Sequence, residues 1–203
     1  MIAIKQSVEL ITPIDTKATM ERLEKAARTC YQSFGRIEEG SADKLIRRCL
    51  ALHHESVIEH ESASFRIVTD RGVLAELTRH RLASYSVEST RYCCYKGGIT
   101  VIEPPGLTQD QRASWMRSCL VAEKTYNEMI EWGAVPQIAR AVLPTCLKVE
   151  MVATANLREW MHIIRLRTAR AAHPQIREVA GMIRAILADR LPAIFEANLK
   201  EVD

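Results

Sequence analysis

The sequence has few glycines and few aromatic residues, and it lacks the common nucleotide-binding motifs. Among its 203 residues are eight Gly, three Phe, five Tyr and three Trp. No glycine belongs to a GxGxxG or a GxxxxGK[ST] pattern, so neither a Rossmann turn nor a P-loop is predicted. A bound dinucleotide would have to be held by side chains and helix N-termini instead. The few aromatic side chains also leave few stacking platforms for single-stranded nucleic acid.

Paired cysteines, long apolar runs and a basic leader are missing as well. None of the six cysteines forms a CxxC pair, which argues against a zinc knuckle or a thioredoxin-like site. No stretch approaches the roughly 18 apolar residues of a membrane span. The opening MIAIKQSVELITPI does not resemble a signal peptide, since no basic segment precedes a long apolar run. We therefore expect a reduced protein with a cytoplasmic location.

The overall charge is mildly basic. A net charge of +3 and a pI near 8.6 are far below those of most dedicated nucleic-acid binders. With 47% hydrophobic and 26% charged residues, the composition is typical of a globular protein. No repeat, linker or low-complexity run divides the chain, so one mixed domain over residues 1–203 is predicted. Neither nucleic acid nor a membrane is expected as a partner.

Positive charge is concentrated in the segment TRHRLASYSVESTRY. Here Arg79, His80, Arg81 and Arg91 lie within thirteen residues, and hydroxyl side chains stand between them. A guanidinium offers a planar fork of donors, and a hydroxyl group can donate or accept, so the mixture suits an anion of defined geometry. The alternative is a solvated basic helix face, because exposed charges are common on helices.

The periodicity of apolar residues predicts a mixture of helices and strands. IAIKQSVELI alternates as one strand, and residues 57–69 alternate as a second, with His60, Ser62, Ser64 and Arg66 on one face. KGGITVIEPPG indicates a loop. Helices are predicted after Asp15 or Thr16, over residues 42–52, over RGVLAELTRHRL, from Thr108 to about Trp132, within PQIARAVLP and after Asn156; CLKVEMVATA is predicted as a strand. A last helix should begin near Pro174 and stop or kink around Pro192.

The helix after Asn156 has two distinct faces. Asn156 and Glu159 resemble a capping box. Arg158, His162 and Arg165 lie opposite an apolar stripe, while Arg167 lies near the edge of that stripe. The stripe consists of Leu157, Trp160, Met161 and Ile164. Arg167 is therefore either a last-turn cation that the helix dipole favours or a residue that points into a site.

Histidines and carboxylates in HHESVIEH raise the question of a metal. The segment is not HExxH, and His54 precedes the strand on which His60 would lie. No set of ligands with tetrahedral spacing can be named, so we expect no metal. Histidines satisfied by hydrogen bonds at a strand entrance are the better interpretation.

Several ordered motifs resemble those of flavin-dependent thymidylate synthases. RHRLASYSVES fits that family's signature of R-H-R followed by seven residues and Ser. HESVIEH, ARAVLP, NLREW and LRTARAAHPQIRE also resemble the family, in the same order and over nearly the whole chain. The resemblance implies methylation of dUMP to dTMP, with methylenetetrahydrofolate as carbon donor, FAD as redox cofactor and NADPH as reductant. It also implies a homotetramer and an α+β fold with an antiparallel sheet flanked by helices.

The resemblance assigns residues to two ligands. Around FAD it implies Ser56, Arg79, His80, Arg81, Val87, Asn156, Arg158 and His162. Around dUMP it implies Glu76, Arg79, Glu88, Ser89, Thr90, Arg91, Arg140 and Arg167. His54 is expected in the vicinity of the folate or the flavin. Arg167 is expected to be catalytic, because a guanidinium beside the uracil ring would stabilise negative charge developing there.

Three positions depart from the pattern of the family. Glu76 stands where many members have Gln, and an ionised carboxylate accepts hydrogen bonds but donates none. Val87, followed by Glu88, stands where a polar Glu or Gln is often found, so a contact there would need the backbone. His162 stands where some members have Asn, which retains a polar group.

Two alternatives remain open at this point. The first is a folate-only thymidylate synthase in which Cys146, in LPTC, attacks C6 of uracil as a thiolate. The second is a non-enzymatic module that binds nucleotides or nucleic acid through the cluster from Arg79 to Arg91. The colour of the purified protein and the salt dependence of DNA binding distinguish these alternatives from a flavoenzyme.

Overall fold

A computed structural model describes residues 1–196 and contains both helices and strands in this range. The strands are β1 (Ile2–Ile4), β2 (Ser7–Leu10), β3 (Ser62–Asp70), β4 (Ser84–Val87), β5 (Thr100–Ile102) and β6 (Lys148–Asn156). The α-helices are α1 (Thr16–Thr29), α2 (Ser41–Ala51), α3 (Arg71–Leu77), α4 (Gln109–Glu131), α5 (Pro136–Ala139), α6 (Leu157–Arg167), α7 (Pro174–Arg190) and α8 (Pro192–Phe195). Short 3₁₀ turns cover Phe34–Arg36, Glu55–His60 and Arg140–Val142.

The strands form two sheets. The larger sheet is antiparallel, has the order β2-β3-β6-β4 and is flanked by helices, which confirms the predicted α+β fold. Its long strands bury alternate side chains, as the period of two requires: Ala63, Phe65 and Ile67 on β3 are fully buried. The smaller sheet is a parallel pair in which Ile2 of β1 lies opposite Thr100 of β5.

The chain divides into two compact units. The first unit consists of Met1–Ser7, Ile67–Arg79 and Tyr85–Val152. The second unit consists of Val8–Arg66, His80–Ser84 and the described residues from Ala153 onward. The consecutive residues Arg79 and His80 thus belong to different units. That residues 1–203 form a single domain stays a prediction.

The first unit contains α3, α4 and α5. A capping box starts α4, because the Thr108 hydroxyl accepts from Gln111 N and the Gln111 side chain accepts from Thr108 N. A buried apolar cluster formed by Ile99, Val101, Cys119 and Leu147 contacts Trp115 and Cys146.

The second unit is built largely from helices. Met20, Leu23 and Ala27 form the buried face of α1, as the sequence predicts. Trp160 of α6 packs edge-on against Phe65, with ring centroids 5.0 Å apart, and donates its indole N–H to the carbonyl of Ala63. This contact anchors the apolar side of α6 and leaves its polar side available for a site. No helix within residues 1–196 is long and apolar enough to cross a membrane.

Several local predictions are wrong. The first ten residues form two strands in different sheets, not one. Residues 57–60 belong to a 3₁₀ turn, so β3 begins only at Ser62 and His60 does not share its face. Helix α3 ends at Leu77, which leaves Arg81 outside it. The predicted loop KGGITVIEPPG contains β5, since residues far apart in sequence pair there. The break between α7 and α8 at Pro192 is confirmed.

Candidate active site

His80 lies between a carboxyl group and a guanidinium group within the second unit. Arg167, the last residue of α6, donates from Nε to His80 Nε2 over 3.0 Å. Glu159 of α6 places Oε1 3.6 Å from the other ring nitrogen, Nδ1. His80 and Glu159 are both 6% exposed. Because Nε2 accepts a hydrogen bond, the neutral ring carries its proton on Nδ1, facing Glu159.

Burial sets the protonation states of this group. Burial, followed by the charges of Arg167 and His162, lowers the pKa of His80 from 6.5 to about 4. Burial also raises the pKa of Glu159, although the charge of His162 acts in the opposite direction. At neutral pH, His80 is therefore a neutral imidazole that accepts from Arg167. Arg167 is therefore more than a cation in the last turn of α6, because its side chain donates a hydrogen bond to the buried His80.

His80, Glu159 and His162 form a potential set of metal ligands. Their ligand atoms all lie within 4.8 Å of one another, and the two rings are 5.7 Å apart between centroids. The Arg167 guanidinium, however, donates to a ring nitrogen of His80 and brings a positive charge directly to the group. A second cation would be repelled at that distance. The chemistry of the group therefore favours the hydrogen bond from Arg167 to His80, with the Glu159 carboxyl group facing the other ring nitrogen.

A groove of about 480 Å³ lies beside this group in the second unit. Helix α6 contributes Arg158, Glu159, His162 and Arg165, and its N-cap Asn156 also lines the groove. The opposite wall consists of Glu55, Glu59 and Leu82. The groove thus combines apolar surface, an imidazole ring and several donors and acceptors, which suits a polar heteroaromatic ligand.

Carboxylates hold the arginines of the groove. Arg158 pairs with Glu59 and with Glu55, the latter over 3.4 Å, and Arg165 Nη1 lies 3.1 Å from Glu55 Oε1. These pairs fix two long side chains along the polar side of α6. They also offset positive charge, so the groove walls are poorly suited to a diphosphate group.

A second cluster lies in the first unit and contains residues predicted for dUMP. Arg140 Nη1 donates to the Thr90 hydroxyl over 3.2 Å, although fifty residues separate them in sequence. The Ser89 hydroxyl accepts from Arg91 N, and Arg91 Nε donates to Gln137. Arg91 and Arg140 are exposed. Arg140 thus contacts the Ser89–Arg91 loop through Thr90, and Arg91 reaches Gln137, three residues before Arg140; guanidinium and hydroxyl groups of this kind suit a phosphate monoester.

Glu88 anchors the start of this loop. Its carboxylate accepts from Tyr95 Oη and from Lys148 Nζ, both over 2.8 Å, and from Glu150 N over 3.1 Å. Its carbonyl oxygen accepts from Arg71 Nη2 over 3.0 Å. Burial alone would raise the pKa of Glu88, but the bonds from Lys148 and Tyr95 outweigh this effect and lower it. The carboxylate is therefore engaged within the protein and holds the chain just before Ser89.

The remaining predicted residues are distributed over both units. Arg79 and Arg81 are exposed, whereas Glu76 and Val87 are half-buried. His54 and Ser56 are also exposed. His54 is the N-cap of the 3₁₀ turn Glu55–His60, and Ser56 lies within this turn. Most residues expected around FAD belong to the second unit. Those expected around dUMP, except Arg167, belong to the first.

Three residues of these clusters were not predicted as site residues from the sequence. Glu159 was expected only as part of a helix cap, and Asn156 does accept from its backbone N–H over 2.8 Å. The carboxyl group, however, lies against His80. Gln137 and Tyr95 gave no local signal, because their partners Arg91 and Glu88 come from other segments. The position of Glu159 in the first turn of α6, three residues after Asn156, indicated only the cap.

Cys146 lies in apolar surroundings. Trp115 Nε1 donates to its sulfur over 3.3 Å, and the sulfur of Cys119 is 3.5 Å away. Burial, together with the bond to Cys146, raises the pKa of Cys119 to about 12. Within residues 1–196, the contacts of this pair are those of a packed core and include no cationic partner of the kind that activates a nucleophilic thiol.

Comparison with known proteins places the chain in one family. The model of the family described as thymidylate synthase complementing protein matches residues 14–193. A probable flavin-dependent thymidylate synthase of Mycobacterium phage L5 is 35% identical over 193 residues, covering 87% of this chain and 79% of that protein. The flavin-dependent thymidylate synthase of Pyrococcus furiosus is 33% identical over 187 residues, covering 86% and 77%.

A solved structure agrees with these relatives. A UMP/dUMP methylase, PolB, from Streptomyces cacaoi bound with 5-Br dUMP superposes with a TM-score of 0.83 at 28% identity, covering 97% of this chain and 96% of that one. The motifs that suggested the resemblance are thus accompanied by similarity over nearly the whole length. The chain belongs to the flavin-dependent thymidylate synthase family.

Proposed function

We propose that this enzyme converts dUMP to dTMP by reductive methylation, with a bound flavin as redox cofactor. Methylenetetrahydrofolate is the carbon donor and NADPH the reductant in this proposal. The family membership supports it, and the named relatives are thymidylate synthases. The structural observation that carries it is the contact of Arg140 with Thr90, in the loop that also contains Ser89 and Arg91.

The nucleotide phosphate binds at that loop. Arg91 and Arg140 supply charge-assisted hydrogen bonds to a group that carries nearly two negative charges. The hydroxyl groups of Ser89 and Thr90 can donate further hydrogen bonds to the phosphate oxygens. Glu88 contributes by fixing the loop, since its carboxylate is already bound by Lys148 and Tyr95.

The flavin ring binds in the groove beside α6. Its volume falls within the range of small-ligand pockets, and Asn156 and His162 offer polar contacts to a planar heterocycle. Because Glu55 and Glu59 hold Arg158 and Arg165, the exposed Arg81 of the same unit is the better partner for the diphosphate of FAD. In this proposal, Asn156 and His162 bind the flavin ring, and a different side chain, that of Arg81, binds the diphosphate. When bound, the flavin carries the reducing equivalents of the reaction.

Arg167 acts on the uracil ring. Methylation at C5 needs an electron-rich ring, and a fixed guanidinium beside the ring carbonyls stabilises the negative charge that develops. Arg167 acts through this fixed charge and not as a base, since a guanidinium offers donors but no acceptor. Binding to neutral His80 fixes the orientation of Arg167 without neutralising its charge.

Assays of the purified protein test this function. Incubation with FAD should give a flavin absorption spectrum, and dUMP, methylenetetrahydrofolate and NADPH together should yield dTMP. Omission of any single component should abolish the product. UMP is assayed in parallel, because a related methylase has been solved with 5-Br UMP as well.

Matched variants assign the nucleotide site. Arg140→Gln should raise the KM for dUMP, whereas Arg112→Gln, a surface arginine paired with Glu103, should leave it unchanged. A protein that binds no flavin and forms no dTMP contradicts the proposal. DNA binding that weakens steeply with salt would then support the nucleic-acid-binding alternative.

A further inference from the structure

Glu159 is a buried acidic residue on the helix that ends with Arg167, and the proposed reaction gives it no role. Its backbone N–H is bound by the N-cap Asn156, but its carboxyl group extends to the side of α6 where His80 lies. A buried carboxyl group is unfavourable unless a partner compensates for lost hydration. The Glu159 carboxyl group faces His80 Nδ1, which lies 3.6 Å from Oε1.

His80 connects Glu159 to Arg167. Both ring nitrogens are occupied, one facing the carboxyl group and the other accepting from Arg167 Nε over 3.0 Å. A neutral imidazole with its proton on Nδ1 turns this N–H toward the Glu159 carboxyl group, an electrostatic contact at 3.6 Å, while Nε2 accepts from Arg167. The opposite tautomer would set two N–H groups against each other at Nε2. An acceptor at Nδ1 therefore favours the tautomer that Arg167 needs.

The helix makes this connection specific. Glu159 and Arg167 are eight residues apart on α6, so their side chains do not meet directly across neighbouring turns. His80 comes from another segment and joins the two positions through its ring. His162, exposed and 5.7 Å from His80 between ring centroids, lies beside this path but not within it.

We infer that Glu159 is a positioning residue, which holds His80 in the Nδ1–H tautomer and thereby fixes the guanidinium of Arg167 for the reaction. This inference rests on the proposed function, because Arg167 is the group expected to contact the uracil ring. Glu159 also lines the groove, but in this inference it acts through His80 and makes no contact with the uracil ring. Misplacement of a catalytic group by about 1 Å can reduce a rate about 100-fold, so an indirect role has measurable consequences.

Three substitutions separate the acceptor from the shape of the side chain. Glu159→Leu fills a similar volume without an acceptor and should lower kcat about 10- to 100-fold while the KM for dUMP changes little. Glu159→Gln retains an oxygen acceptor and should keep most of the activity. Ile163→Val, at a buried core position of the same helix, controls for loss of packing and should leave kcat unchanged. Should Glu159→Leu fail to fold, Glu159→Ala replaces it in every measurement.

A double-mutant cycle tests whether Glu159 acts through Arg167. In an Arg167→Ala background, Glu159→Leu should lower kcat no further, because the group that it positions is absent. Multiplicative losses from the two substitutions would overturn the inference. Wild-type turnover in Glu159→Leu, or equal losses in Glu159→Leu and Glu159→Gln, would also overturn it.

The tautomer is measured independently of turnover. In ¹⁵N-histidine-labelled protein, with His80 assigned by His80→Gln, the wild type and Glu159→Gln should show Nδ1–H imidazole at neutral pH. Glu159→Leu should show a mixture with the other tautomer, and an unchanged Nδ1–H signal would contradict the inference. If the wild type makes no dTMP, the proposed function fails, while this spectrum still decides the link between Glu159 and His80.

Discussion

Arg167 is half-buried at the end of α6 and donates to a neutral imidazole. Arg167→Ala should lower dTMP turnover by about a hundred- to a thousandfold, since loss of one preorganised donor costs about 2.7–4 kcal/mol. Arg167→Lys should restore only part of the rate, because an ammonium keeps the charge but not the fork. The measurement is turnover by folded protein with bound flavin. Turnover close to that of the wild type, with reduced thermal stability, would show that Arg167 is only a helix-end cation.

His80 makes stability depend on pH. Its pKa is lowered from 6.5 to about 4, so below pH 6.5 the unfolded chain takes up a proton that the folded protein refuses. This contribution to stability is present above pH 6.5 and is lost as the pH falls from 6.5 toward 4. Across that window, the free energy of unfolding should fall by about 3 kcal/mol more in the wild type than in His80→Gln.

Urea titrations at neutral pH and at about pH 4, at constant protein concentration, check this expectation. Glu159 has the opposite effect: because its pKa is raised, it lowers the free energy of unfolding as the pH rises above the ordinary pKa of a glutamate. This contribution is present in both proteins. Parallel pH dependences in wild type and His80→Gln would contradict the lowered pKa of His80.

Cys146 is expected to be dispensable for the chemistry. Its sulfur packs against Cys119 and accepts from Trp115, within the apolar cluster of the first unit. Cys146→Ala should retain most dTMP formation and should cost about 1 kcal/mol of stability through lost packing. Turnover and urea unfolding measure both effects. A folded Cys146→Ala protein without activity would return a cysteine nucleophile to consideration.

Among the elements, the N-caps of α6 and α4 allow a matched comparison. Asn156 caps α6 and lines the groove, whereas Thr108 caps α4 away from any predicted ligand. Asn156→Ser should keep the cap, because a hydroxyl accepts equally well, but should weaken flavin binding. Thr108→Ala should lower stability by about 1 kcal/mol and leave flavin affinity unchanged. Flavin titrations and unfolding curves separate the effects, and unaltered flavin affinity in Asn156→Ser would remove Asn156 from the proposed site.

Helices were predicted well from the sequence where nearby residues determine their ends or their buried face. The start of α4 at Thr108, the apolar stripe of α6 and the break at Pro192 each follow from side chains within a few positions. Strand β5 was missed because its hydrogen-bonding partner, β1, lies almost a hundred residues earlier. The turn Glu55–His60 was mistaken for a strand because Val57 and Ile58 favour strands. Here the chain is 3₁₀ and buries Ile58 instead.

The candidate site shows the same limit. The R-H-R motif identified His80 and the LRTARAAHPQIRE motif identified Arg167, but neither indicated that these residues bind each other. Glu159 could not be predicted as a neighbour of His80, since 79 positions separate them and only the folded second unit brings them together. Likewise, Glu88 was expected to contact nucleotide, whereas Lys148 and Tyr95 already bind its carboxylate.

For the whole molecule, we expect a homotetramer. Large apolar side chains are exposed on this chain: Trp132 is 83% exposed, Leu82 80% and Tyr92 76%. Exposed apolar surface of this kind is often covered by another subunit. Sedimentation with FAD present should therefore give about four times the chain mass of 23.0 kDa. A monomer at micromolar concentration would contradict this expectation, and a dilution series provides the control for weak association.

The anchoring of Glu88 has a thermodynamic consequence for ligand recognition. Ordering a flexible backbone costs about 1–2 kcal/mol per residue, and a loop that folds around its ligand bears this cost at each binding event. Bonds from Lys148, Tyr95 and Glu150 immobilise the chain immediately before Ser89 when the first unit folds. Calorimetry with dUMP should then show a small entropic penalty, which grows in Tyr95→Phe as the anchor loosens. Because the loop is ordered when the protein folds, its ordering does not reduce the affinity for the nucleotide.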